Sequence, residues 1–115
     1  MLIENKSQGT TVAERIQAAD TTLSRIVGLL GRRSLEAGGG IWIRPSSGIH
    51  TVGMRFPIDA IGLDAQMRVV KLWANLHPNR IPAPGIKIRS VVELAAGEIE
   101  ARSIQMGDVL EIRPN

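Results

Sequence analysis

The stretch from Ile58 to Leu76 constrains the fold of this chain more than any other. Ile61 and Leu63 recur at period two before Asp64-Ala65-Gln66-Met67, a turn-prone set. Beyond it Val70, Leu72, Ala74 and Leu76 alternate with Val69, Lys71, Trp73 and Asn75. This pattern predicts an antiparallel hairpin with a half-buried second strand. Asp59 falls on the same side of the pleat as Ile61 and Leu63. A carboxylate facing a core needs a partner, because burying an unpaired charge costs several kcal/mol or shifts its pKa. His50, Arg55 and a distant pair of arginines are the candidates.

The segments around this hairpin are short and mostly β-favouring. Met1 to Asn5 and Thr11 to Ile16 flank Ser7-Gln8-Gly9 and predict a first hairpin. Ile41-Trp42-Ile43, ended by Pro45, reads as a strand covered on both faces, with Gly38-Gly39-Gly40 as a flexible connector into it. Val91 to Leu94 reads as strand, Ala96 to Ile104 as one or two helical turns, and Val109 to Arg113 as a last strand after Gly107-Asp108. His77 to Gly85 carries three prolines and is expected to be a long ordered loop.

One helix is expected, over about Asp20 to Gly31. Asp20 or Thr21 can cap it, Leu23, Ile26, Val27 and Leu30 form one apolar stripe, and Gly31 ends it. Arg25 and Arg32 lie seven residues apart on its other side with Gly28 between them. Two readings are open. Either both arginines sit in water, or they form a two-guanidinium clamp on an acidic group: Asp59, Glu93 or an anion from outside.

With 115 residues the chain suits a single domain with a core of its own. The absence of cysteine removes disulfides, thiolate metal sites and a cysteine nucleophile together. No stretch approaches a membrane span, and Met1 to Lys6 has neither the basic start nor the apolar run of a signal peptide, so a cytoplasmic location is expected for the chain as it stands. The net charge of +3 is scattered and aromatics are few, which argues against nucleic-acid binding. Most of the basic residues are arginine, whose fork matches carboxylate and phosphate, and this favours acidic partners.

His50 and Thr51 beside Asp59 have the residue types of a general base, a nucleophile and an orienting acceptor. The structural alternative is that His50 and Thr51 hydrogen-bond a turn while Asp59 satisfies backbone N–H groups. Asp59 and Glu93 are also candidates for paired carboxylates in acid–base work. His50, His77, Met54, Asp59 and Glu93 have no standard metal-ligand spacing, so no metal or cofactor is expected.

Three blocks of sequence resemble a known family. They are Arg25 to Arg32, then Gly40 to Ile43 with His50-Thr51-Val52-Gly53-Met54-Arg55-Phe56-Pro57-Ile58-Asp59, and finally Glu93 to Gly97 through Gly107-Asp108. Together they are similar to the bacterial and archaeal domain of unknown function 192 family. That resemblance implies a compact, mostly β domain and no established activity. Many relatives look exported, so a leader on a longer precursor stays open. Val52-Gly53 stands where the family often has a bulky aromatic, Gly62 where Phe is common and Leu30 where Met is usual.

The expectation is therefore an α+β domain, mainly antiparallel β and curled into a partial barrel or sandwich, with its helix covering one opening. Its expected role is binding a small, anionic ligand through Arg25, Arg32, His50, Thr51, Arg55, Asp59 and Glu93. The rival classes are a small hydrolase-like enzyme using His50 as base, and a peptide-binding or assembly module offering a sheet edge.

Overall fold

The computed structural model describes residues 1–21 and 32–115. Eight strands and one short helix are found among them: β1 (Leu2–Asn5), β2 (Thr10–Ala13), β3 (Arg15–Ala19), β4 (Gly39–Ile43), β5 (Ile58–Leu63), β6 (Val69–Leu76), β7 (Ser90–Ala95), α1 (Glu98–Ala101) and β8 (Leu110–Arg113). The expected Asp20 to Gly31 helix, its apolar stripe and Arg25 lie outside the described residues.

The strands form two sheets, ordered β2-β1-β8 and β3-β4-β7-β5-β6. All described pairings are antiparallel except that of β3 with β4. Ile3 and Val12 of the small sheet pack with Ile16, Trp42, Ile61, Leu63, Val92 and Leu94 of the large one. The opposite face of the large sheet carries Ile41, Ile43, Ile58, Ala60, Trp73 and Val91, covered by Ile49, Met54 and Ile88 from the connecting segments. The inner strands β4, β5 and β7 are consequently covered on both faces, which is why Ile41-Trp42-Ile43 is continuously apolar. The architecture is sandwich-like; the large sheet stays open at β3 and β6 rather than closing as a barrel.

Three local expectations change. The first hairpin exists, but its second strand stops at Ala13 and the chain crosses to the other sheet, so Ile16 belongs to β3. Gly39 and Gly40 are not connector but strand: a Cβ on Gly40 would collide with the Glu93 carbonyl oxygen, so the bare backbone is what lets β4 sit there. In β6 the regular alternation fails, since Val69 and Trp73 are buried while Ala74 is exposed. Its register against β5 slips twice, between Ile58 and Ala60 and between Gly62 and Leu63, and each bulge turns the following side chains over.

The hairpin turn itself is built by Asp64, whose carboxylate accepts the N–H groups of Gln66 and Arg68, both at 2.9 Å. The proline-rich segment after β6 is irregular throughout, as its composition requires.

Candidate functional site

Asp59 is fully buried, as its place in the pattern predicts. Its partners are backbone. Oδ1 accepts the Asn75 N–H at 2.8 Å, and Oδ2 accepts the Ile99 N–H at 2.8 Å. Both donors need an acceptor for a local reason. Asn75 sits in the β6 bulge at φ 53°, with its N–H withdrawn from the regular ladder. α1 opens on Gly97 at φ 95°, a residue with no side chain to cap the helix. Asp59 therefore caps α1 from a neighbouring strand, and no described imidazole or guanidinium reaches it.

Thr51 is also fully buried and its hydroxyl is committed. Oγ1 donates to the His77 carbonyl at 2.6 Å and accepts the Arg80 N–H at 2.9 Å. The Thr51 backbone closes the same junction, donating to the Arg80 carbonyl and accepting from Asn79 N–H, each at 2.9 Å. The residue laces the segment before β5 to the loop after β6. His50 and Arg55 on that segment are exposed, and among the described residues neither side chain makes a hydrogen bond or ion pair.

Glu93 lies at the middle of β7, between Ile41 of β4 and Ala60 of β5. It is only 5% exposed. Its Oε2 has no hydrogen-bond partner, and burial raises its pKa from 4.5 to about 7. Asp59 pairs instead with Leu94, so the two carboxylates leave the sheet on opposite faces. They do not form an acid pair. Nor do His50, Thr51 and Asp59 form a catalytic constellation: the hydroxyl and the carboxylate each serve backbone, and the imidazole hydrogen-bonds to neither. Among the described residues no three of His, Asp and Glu are grouped to hold a metal ion.

Arg32 is placed at the β3 edge, donating to the Gln17 side chain at 3.0 Å. It lines a cleft of about 540 Å³ with Arg15, Gln17, Ser34 and Glu36, above the bare backbone of Gly39 and Gly40. Arg15 donates to the Ala37 carbonyl at 2.8 Å and lies 4.0 Å from the Glu36 carboxylate. Each guanidinium keeps further donors beyond these contacts. Arg15 was not singled out by sequence, because only the parallel β3–β4 pairing brings it beside Gly39.

The structure thus separates the predicted site residues into a strand-to-helix cap at Asp59, a loop clamp at Thr51, exposed groups at His50 and Arg55, a buried acid at Glu93 and a basic cleft at Arg32. The sequence profile of the family described as Uncharacterized ACR, DUF192, matches residues 3–112. The chain belongs to the DUF192 family. A UPF0127 protein from Pyrococcus furiosus is 31% identical over 112 residues, covering 93% of this chain and 94% of that one. Two crystal structures share the fold. One is a protein of unknown function from Novosphingobium aromaticivorans, with TM-score 0.83, 23% identity and coverage of 96% of this chain and 82% of that one. The other is described as a putative transcription regulator from Sinorhizobium meliloti, with TM-score 0.80, 20% identity and coverage of 96% and 89%. No helix among the described residues is long and apolar enough to cross a membrane.

Proposed function

We propose that this DUF192 domain binds a small ligand through an anionic group, in the cleft at the β3 edge. The observation that carries the reading is the placement of two guanidinium groups, Arg15 and Arg32, on the walls of one cleft of about 540 Å³. Such a volume falls in the range of small-molecule sites. Arginine forks recognise carboxylate and phosphate in a bidentate manner, and Gln17 and Ser34 add neutral hydrogen-bonding groups. Glu36, 4.0 Å from Arg15 at the rim of the cleft, is the group an incoming anion displaces.

This retains the clamp expected from sequence at Arg32, with Arg15 as its described second arm. His50 and Arg55 lie on the exposed segment before β5 and Glu93 is buried within the sheet, so none of them is assigned a contact in this cleft. The test is a titration with inorganic phosphate and with short dicarboxylates, followed by amide chemical shifts. Saturable shifts at Gln17, Arg32 and Ser34, weakened roughly tenfold in R15A or R32A, are expected. Absence of saturation with every anion at millimolar concentration, or unchanged affinity in both variants, overturns the reading.

A further inference from the structure

The far edge of the same sheet carries a second feature. Beside the edge strand β6 lies a groove of about 370 Å³ between Val70, Lys71 and Trp73 on the strand and Pro84, Ile86 and Ile88 on the following loop. Its floor is apolar and built in: Trp73 and Ile88 belong to the buried layer. Its wall is apolar and bare, since Ile86 is 91% exposed. Ile81 on the same loop is 77% exposed, and Val52, tied to that loop through Thr51, is 45% exposed. A bare isoleucine on the wall of an apolar groove marks an interaction surface.

The loop is held in shape by its own bonds. The Gly85 N–H donates to the Ser47 carbonyl at 2.9 Å, and the Ile88 N–H to the Gly85 carbonyl at 3.1 Å. Pro78, Pro82 and Pro84 restrict the backbone further. The groove therefore exists before any partner arrives, which lowers the ordering cost of binding.

Charge selects the partner. From Ala65 to Val92, the stretch that supplies the whole groove, there is no acidic residue, while Arg68, Lys71, Arg80, Lys87 and Arg89 are all basic. Lys71 and Lys87 line the groove, with the Lys71 ammonium 5.9 Å from the Trp73 ring centre. Gly107 and Asp108 occupy the β6 edge at Val69; beyond it an edge strand offers main-chain hydrogen bonds to an extended chain, and an adjoining pocket takes its alternate side chains.

We propose that the β6 edge groove docks an extended, acidic peptide segment of a partner protein, seating an apolar side chain between Trp73 and Ile86 with flanking carboxylates against Lys71 and Lys87. In an extended backbone side chains two residues apart share a face, so carboxylates two positions either side of the apolar side chain reach the rim while it enters the groove. This site is independent of the arginine cleft at the opposite edge of the sheet.

The probe is a fluorescein-labelled heptapeptide with a central valine or isoleucine flanked by glutamates, compared with the same peptide flanked by lysines, measured by anisotropy at low and moderate salt. Saturable binding of the acidic peptide, at least roughly tenfold tighter than the basic one and weakened by salt, is expected. K71E/K87E should reverse that preference, and I86D should remove binding; all three positions are exposed, so the fold is retained, checked by circular dichroism. Backbone amide shifts on binding should centre on Lys71 to Ala74. Failure of either peptide to saturate, equal binding of both, or indifference to K71E/K87E overturns the proposal. So does binding to vesicles of phosphatidylserine and phosphatidylcholine without peptide binding, or concentration-dependent dimerisation through this face that I86D abolishes while the peptide does not compete.

Discussion

Asp59 and Glu93 stand one residue out of step on adjacent strands and so project from opposite faces of the same sheet. The consequence is a division of labour between two buried acids. Asp59 meets two backbone N–H donors, whereas Glu93 enters an apolar layer with Oε2 unpartnered. One is answered by the fold, and the other is tolerated by it.

Glu93 should make stability depend on pH. Its folded-state pKa is raised by burial to about 7 from 4.5, so between those values the native state holds a proton that the unfolded state has released. The favourable contribution is fully present below about 4.5 and is lost as pH rises through about 7, amounting to roughly 3 kcal/mol in all. E93Q removes the titrating group. Urea unfolding should show E93Q more stable than the parent at pH 8, with the difference shrinking or reversing towards pH 5; parallel pH profiles would count against the buried-acid account.

Asp59 predicts the opposite kind of defect. D59A leaves the Asn75 and Ile99 N–H groups without an acceptor, and each unsatisfied buried donor costs about 1–3 kcal/mol. D59N recovers little, because its amide presents a donor to one of two donors. Both variants should lose about 2–4 kcal/mol in urea unfolding, with faster hydrogen exchange at Ile99 and Asn75. A loss below about 0.5 kcal/mol in both would mean that the cap is dispensable.

What could be read from sequence follows the range of the interaction. The β5–β6 hairpin was legible because period two and an Asp64 turn are local signals, and the inward side of Asp59 followed from the same period. Its partners were not, because a backbone N–H freed by a bulge or a helix start carries no residue signature. The β6 bulges are themselves demands of the neighbouring strand and helix, so the alternation through Val70 to Asn75 gave the element but the wrong facing. The seven-residue spacing from Arg25 points to Arg32 as one arm of a clamp, whereas Arg15 carries no local signal, because only the parallel pairing of β3 with β4 places it at the cleft.

Gly40 makes the same point at a single position. Three successive glycines read as a linker, yet a Cβ on Gly40 would strike the Glu93 carbonyl oxygen and press on the Leu94 side chain at 3.0 Å. G40A should cost about 1–3 kcal/mol through this overpacking. The neighbouring G39A meets its nearest atom, the Glu36 carbonyl oxygen, at 3.4 Å, an ordinary contact, and should be neutral or gain up to about 1 kcal/mol by restricting the unfolded chain. Equal effects of the two substitutions on the denaturant midpoint would show that the close approach between β4 and β7 is relaxed in solution.

Thr51 and His50 are adjacent in sequence yet should respond in opposite ways. The Thr51 hydroxyl donates to one main-chain carbonyl and accepts from one main-chain N–H, so T51V strands both and should cost about 1–3 kcal/mol, with the Arg80 amide exchanging faster. T51S keeps both bonds and should lose less than half as much. The His50 side chain is exposed and makes no described hydrogen bond or ion pair, so H50A should fall within about 0.5 kcal/mol of the parent. A hydroxyl that must keep two main-chain bonds is poorly placed to attack a substrate, because freeing it would loosen the junction of two loops. Should H50A destabilise the domain as much as T51V, the imidazole has a structural partner, and the division between a clamped threonine and an available histidine fails.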